Sequence, residues 1–162
     1  MEAKERAIRE FLRHSVATVA YRGGKAVRGA PPGFSAFRPA PTSRSAGEVL
    51  AHVGDLFDWA LNLARGSRVW NDTKPQTWEE DSARLFRALQ AFDAVLASDE
   101  PLATGAEKLF QGPVADALNH VGQIAMLRRI AGAAIRGENY FKADITAGKV
   151  GADQPPPRAE FD

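Results

Sequence analysis

Two segments of this sequence place a carboxylate four residues before a histidine. One segment pairs Glu48 with His52, and the other pairs Asp116 with His120. In both, a leucine lies between the carboxylate and the histidine, and a valine and a glycine follow the histidine. Imidazole and carboxylate groups are ligands for divalent metal ions, and a carboxylate near a metal can act as a general base. The repeat therefore predicts a metal site to which both segments contribute.

Both histidines interrupt apolar helical stripes. At the helical repeat, His52 shares a face with Leu56 and Trp59, and His120 shares a face with Ile124. Each carboxylate lies within about 40° of its histidine on the same face. An ionisable group in an apolar interface is costly unless it is paired or binds a metal, so we expect the two stripes to face each other. The rings should then point at a common site, with their nitrogens ~3–4 Å apart.

A purely structural interpretation of the same residues stays open. A histidine on an apolar stripe can be a hydrogen-bonded core residue, and the carboxylate before it can form an ordinary ion pair near a helix N-terminus. Trp59 can be a pocket wall or a core aromatic residue. Arg128 can hold an anionic substrate or be solvated or ion-paired, and we interpret His14 as a surface residue. Two carboxylate–histidine pairs on different helices favour a site over these alternatives.

The flanking sequence predicts helices around both pairs. Ser45 with Glu48, and Thr77 with Glu80, form capping boxes, so helices should begin at these positions. Pro113 follows a glycine and is expected to open another helix, because proline is tolerated in a first turn. The predicted helices cover residues 2–20, 45–64, 77–96, 112–133 and, as a short fifth helix, 139–147.

The first two helices are joined by a segment rich in glycine and proline. The first helix is expected to end before a Tyr-Arg-Gly-Gly stop signal, and residues 23–44 contain four glycines and four prolines. This segment exceeds the usual link of about 2–8 residues between bundle helices, and Phe34 and Phe37 should pin it to the core. The chain is therefore predicted to be all-α: a four-helix bundle with a long helix 1–2 connection and a short C-terminal fifth helix. The domain should cover residues 1–150, followed by an irregular tail over 151–162.

Composition narrows the classes of function. The 162 residues carry a net charge of +1 without an evident basic face, which argues against a nucleic-acid partner. The chain contains no cysteine, which excludes disulfides, thiolate ligands and a cysteine nucleophile. No signal peptide or membrane-spanning stretch is recognisable in the sequence, so we expect a cytoplasmic protein with no membrane partner.

The segment around the second histidine resembles a known family signature. His120-Val121-Gly122-Gln123-Ile124, followed by Leu127-Arg128, is similar to the fourth-helix motif of the DinB/YfiT-like superfamily of metal-dependent helical bundles, and His52 matches its second-helix histidine. The resemblance covers approximately residues 5–135. It implies a metal site of His52, Asp116 and His120, in which Asp116 stands where the family has a third histidine. It also implies a divalent metal, zinc first, with nickel, manganese and iron as alternatives.

The resemblance further implies a function. Characterised relatives include metal-dependent transferases and isomerases that use low-molecular-weight thiols, so the expected activity is thiol transfer to, or isomerisation of, a small electrophile. Glu48 is the candidate general base, or a fourth ligand. Two alternatives stay open: a non-catalytic binding or structural bundle, with a structural metal or none, and an interaction module. The latter would use residues 22–44 and 139–141 to contact a partner or to form a homodimer.

Overall fold

The computed structural model describes residues 3–161 and is mostly helical. Within that range the chain forms four helices of seven or more residues and a small two-stranded sheet. In chain order the elements are α1 (Ala3–Val27), α2 (Ala46–Ala64), α3 (Trp78–Ala97), the short α4 (Ala106–Leu109), a π-helical turn (Phe110–Val114), α5 (Ala115–Ile130), β1 (Gly137–Glu138) and β2 (Glu160–Phe161).

The starts of α2 and α3 confirm the two predicted capping boxes. The Ser45 hydroxyl accepts a hydrogen bond from the Glu48 amide, and the Glu48 carboxylate accepts one from the Ser45 amide. Thr77 and Glu80 form the same reciprocal pair at α3. Each box satisfies two amides that have no partner inside the helix, which fixes where the helix begins.

Helix α1 continues beyond the predicted stop signal. Gly23 and Gly24 are buried inside the helix, and a Cβ at Gly23 would lie 3.6 Å from Val121 on α5 and 3.8 Å from Leu85 on α3. A Cβ at Gly23 would thus make ordinary van der Waals contacts, and both glycines lie within the helix and do not end it. It ends at Val27, shortly before a glycine with a positive φ, Gly29 at 62°.

The fourth long helical stretch begins earlier than predicted. Residues 106–109 are already helical, whereas the predicted helix begins at residue 112. Pro113 does not open the helix: it lies inside the π-helical turn that joins α4 to α5. Proline has no backbone N–H to donate, and the wider π turn accommodates this missing donor without ending the helix.

The connection between α1 and α2 is long and irregular, as the sequence predicts. Between residues 28 and 45 its only regular structure is a three-residue 3-10 turn, Phe34–Ala36. Phe34 is buried, stacks on Phe37 and meets the Trp78 ring edge to face. These aromatic contacts hold the connection against the start of α3.

The predicted short fifth helix over 139–147 is wrong. This region holds only a three-residue 3-10 turn, Tyr140–Lys142, directly after β1. Strand β1 pairs antiparallel with β2, with Gly137 opposite Phe161 and Glu138 opposite Glu160. Glu138 is buried against α1, where Tyr21 and Lys25 donate to it. This contact between distant segments outweighs the local preference for a helix.

The long helices enclose one apolar core. Helices α1 and α2 each pack mainly against α3 and α5, so α1 and α2 are not paired as a simple hairpin. Among the described residues, none of the helices is both long enough and apolar enough to cross a bilayer. The largest fully buried side chains include Tyr21, Phe57, Phe92, Leu50, Leu85 and Leu89.

Candidate metal centre

Helices α2 and α5 bring the three predicted ligands together. His52 lies in the first half of α2, and Asp116 and His120 lie one turn apart on α5, which packs against α2. One ligand atom from each residue lies within 4.8 Å of the others. The expectation that the two histidines converge on a common point is therefore confirmed, and these three residues could hold a metal ion.

The Asp116 carboxylate faces one nitrogen of each ring. One carboxylate oxygen is 3.6 Å from His52 Nε2, and the other is 3.5 Å from His120 Nε2. The ring centroids are 4.6 Å apart and the rings are nearly perpendicular, at 85°. Both nitrogen–oxygen distances exceed those of ordinary hydrogen bonds. They match the spacing of about 3.4 Å between two ligands of one tetrahedral metal at bond lengths of about 2.1 Å.

Gln123 orients the His120 ring. Its side-chain oxygen lies 2.7 Å from His120 Nδ1. An Nδ1–H that donates to this oxygen leaves the lone pair on Nε2, the nitrogen that faces Asp116. Gln123 belongs to the family motif described above, but no role was predicted for it from the sequence. Its position three residues after His120 on a helix is the signal that could have revealed the contact.

The surroundings of His52 keep its imidazole neutral. Burial lowers the pKa of His52, and the neighbouring His120 and the positive charge of Arg44 lower it further. The Asp116 carboxylate opposes the shift, but the net direction is downward. A neutral imidazole is the form that binds a metal, so the local electrostatics favour ligation over protonation.

Two tryptophans lie beside the centre. The Trp70 ring meets the His52 ring edge to face at 5.4 Å and the Trp59 ring at 5.7 Å. Trp59 is half-buried: it packs against the apolar core and also lines a cavity beside His52, so it combines the two positions considered from the sequence. Trp70 was not singled out from the sequence, because it lies in the irregular segment between α2 and α3, where no periodicity marks a side chain's direction.

The segment that carries Trp70 is tied to α2 by a buried carboxylate. Asp55 accepts hydrogen bonds from the Thr73 amide at 2.9 Å and from the Thr73 hydroxyl at 2.6 Å. Arg84 of α3 donates to Asp55 and also to Asp58. These bonds hold the irregular segment against α2 and so position Trp70 at the His52 ring.

Two cavities flank the centre, and His52 lines both. The first, of about 710 Å³, also contains Asp116, and we call it the aromatic cavity. The second, of about 600 Å³, also contains His120, and we call it the aliphatic cavity. The remaining walls of the aromatic cavity include Leu56, Trp59, Leu63, Arg68, Trp70 and Lys108, and those of the aliphatic cavity include Pro39, Arg44, Val49, Met126, Leu127 and Ile130.

Glu48 is not one of the three converging groups. Its carboxylate caps α2 and accepts a hydrogen bond from Arg38 at 2.9 Å. The Ser45 amide and the Arg38 guanidinium hold the pKa of the Glu48 carboxyl below its usual value. Glu48 shares with His52 a third, polar cavity of about 260 Å³. Its role as a general base stays a prediction, and it requires Glu48 to leave both partners.

Arg128 lies away from the centre. It is buried and donates to the carbonyl oxygens of Ala26, Arg28 and Gly29 and, within its own region, of Ala133. It therefore satisfies carbonyls at the C-terminal end of α1. The two roles considered from the sequence, an anion-binding residue or a solvated or ion-paired side chain, are both wrong.

The donor set fits a divalent metal. Two imidazoles and one carboxylate suit zinc, and also manganese, iron or nickel. The side chains of the three residues keep 18%, 44% and 12% of their surface exposed, in the order His52, Asp116 and His120. A site of three protein ligands that opens on cavities leaves room for an exogenous ligand, as catalytic zinc sites do.

No protein-family model, curated protein or solved structure matches this chain.

Proposed function

We propose that this protein is a metal-dependent enzyme of the DinB-like kind, built as a four-helix bundle, that transfers a small thiol to an electrophile or isomerises one with the help of a thiol. The observation that carries the proposal is the convergence of His52, Asp116 and His120 within 4.8 Å. A divalent metal, when bound there, supplies a Lewis acid that makes a thiol acidic near neutral pH. The thiol comes from the family resemblance, and zinc is the metal we expect first.

The chain's own residues account for the other requirements of such a reaction. Gln123 orients His120, and burial keeps His52 neutral, so both imidazoles are prepared to bind a metal. The aromatic cavity reaches His52 and Asp116, and the aliphatic cavity reaches His52 and His120, so the two offer separate approaches to the same group of ligands. Two approaches suit a reaction of two small molecules, one of which is the thiol.

The geometry argues against a purely structural metal. Structural zinc sites have four protein ligands and exclude water. Within residues 3–161 the group contains three such ligands, and it lies at the edge of two cavities. Asp116 remains nearly half exposed. An exogenous molecule can therefore reach the group.

Cobalt substitution tests the proposal, because cobalt(II) occupies zinc sites and its absorption spectrum reports its ligands. We expect 2-mercaptoethanol to produce a thiolate-to-cobalt charge-transfer band in the cobalt-loaded protein. The His120→Ala variant should lack the band, whereas His14→Ala, which changes an exposed histidine outside the group, should keep it. A cobalt-loaded wild type whose spectrum does not respond to the thiol would overturn thiol chemistry at this centre.

A further inference from the structure

The aromatic cavity combines apolar walls with direct access to the candidate metal ligands. Trp59 and Trp70 contact each other edge to face and line the cavity together with Leu56 and Leu63. His52 lines the cavity beside them. Tryptophan rings offer large apolar surfaces with a preference for other flat groups, so this wall suits a flat, apolar molecule.

Two cations also line this cavity. Arg68 comes from the segment between α2 and α3, and Lys108 comes from α4, so the fold brings them together from distant parts of the chain. Within residues 3–161, neither forms an ion pair with a carboxylate. The one acidic group in the cavity wall is Asp116, which lies between the two histidines. The two cations outnumber the one carboxylate of the cavity wall, so an anionic ligand would meet a net positive charge there.

We propose that the aromatic cavity binds a small aromatic carboxylate, whose ring lies against Trp59 and Trp70 and whose anionic group pairs with Arg68 and Lys108. The role of this carboxylate as the electrophilic substrate rests on the proposed function, whereas its binding to the aromatic cavity does not. The aliphatic cavity differs in this respect, because it has no tryptophan and its one cation is Arg44. The two cavities therefore select different molecules.

Binding of 1-naphthoate to the metal-free protein, followed by the NMR signals of 15N-labelled indoles, tests this inference. The chain has three tryptophans, whose signals single Trp→Phe variants assign. Trp59 and Trp70 should shift on titration. Trp78 should not, since it packs on Phe34 and donates to the Val27 carbonyl outside the cavity. The neutral analogue 1-naphthamide should bind about tenfold more weakly, since it lacks the negative charge that would pair with Arg68 and Lys108.

A matched pair of double variants separates a specific pairing from a general charge effect. Arg68→Gln with Lys108→Gln should weaken naphthoate binding about tenfold and leave naphthamide unchanged. Arg87→Gln with Lys142→Gln removes the same charge from exposed positions elsewhere and should have no effect. Equal weakening by both double variants, equal binding of the two ligands, or equal shifts of all three indoles would overturn the inference.

The same titration with zinc-loaded protein separates this inference from the proposed function. Binding that appears only with zinc and ignores Arg68 and Lys108 would mean that the carboxylate binds the metal, and the inference would fall. If the metal-free protein bound naphthoate while the spectrum of the cobalt-loaded protein did not respond to the thiol, the aromatic carboxylate site would stand and thiol chemistry would be overturned. Each proposal can therefore fail alone.

Discussion

Asp116 lies well inside a helical stretch and not at its start. The helical stretch that contains it begins at Ala106, about three turns earlier, so Asp116 is not placed to compensate free amides at a helix N-terminus. Its two oxygens instead lie 3.6 Å and 3.5 Å from the Nε2 atoms of His52 and His120. This geometry favours a ligand role over the structural interpretation of the motif.

We expect Asp116→Asn to weaken zinc binding by roughly tenfold or more, because the amide lacks the charge and the second acceptor oxygen. Asp116→His should retain zinc, since it restores a third imidazole. Calorimetric titration with zinc measures the affinity of each variant for the metal. Glu107→Gln, at an exposed position of α4, is the matched control and should leave the affinity unchanged. If Asp116→Ala kept full affinity while His52→Ala lost it, the ligand role of Asp116 would be wrong.

Helical periodicity predicts that the two histidines converge and that Asp116 lies beside His120, whereas the choice of Asp116 as the third ligand comes from the family resemblance. Asp116 and His120 lie on one face by their spacing, and His52 reaches them once α2 and α5 face each other. Trp70 could not be predicted, because its position depends on Thr73 binding to Asp55 in an irregular segment. A contact of that kind has no period in the sequence.

At the scale of elements, one lysine connects α1 to both strands. Lys25 donates to Glu138 of β1 and to Glu160 of β2, each at 2.8 Å. The Glu138 side chain is fully buried and also accepts from the Tyr21 hydroxyl at 2.6 Å, whereas the Glu160 side chain keeps 25% of its surface exposed. The two carboxylates therefore share one cation but differ in burial.

We expect Glu138→Gln to lower the free energy of unfolding by about 3 kcal/mol, because it leaves the Lys25 ammonium buried with its main partner uncharged. Glu160→Gln is the matched variant, with the same chemical change on the same lysine, and should cost much less because water screens that pair. Urea unfolding measures the difference. Equal losses for the two variants would show that burial does not decide the strength of these pairs.

The elements that sequence reasoning predicted are those with local signals. The capping boxes at Ser45 and Thr77 each lie within four residues, so the starts of α2 and α3 can be read directly. The end of α1 and strand β1 are joined by the contact between Lys25 and Glu138, which are more than a hundred residues apart in sequence. Local propensity carries no information about that contact, so neither strand was predicted, and the helix predicted over 139–147 is only a 3-10 turn.

At the scale of the whole molecule, the candidate centre joins two helices that are distant in sequence. His52 comes from α2 and His120 from α5, and a shared metal would link these helices across the core. A ligand that binds the folded chain and not the unfolded chain stabilises the fold by mass action. The same packing leaves a cavity on each side of the linked pair.

Calorimetric titration of the metal-free protein with zinc tests whether His52, Asp116 and His120 form one metal site. We expect the wild-type chain to bind a single zinc ion. His52→Ala with His120→Ala should reduce the affinity by about 100-fold or more, since it removes two of three ligands. His14→Ala, outside the group, should bind zinc like the wild type. If the wild type did not bind zinc, or if the double variant bound it equally tightly, these three residues would not form the metal site.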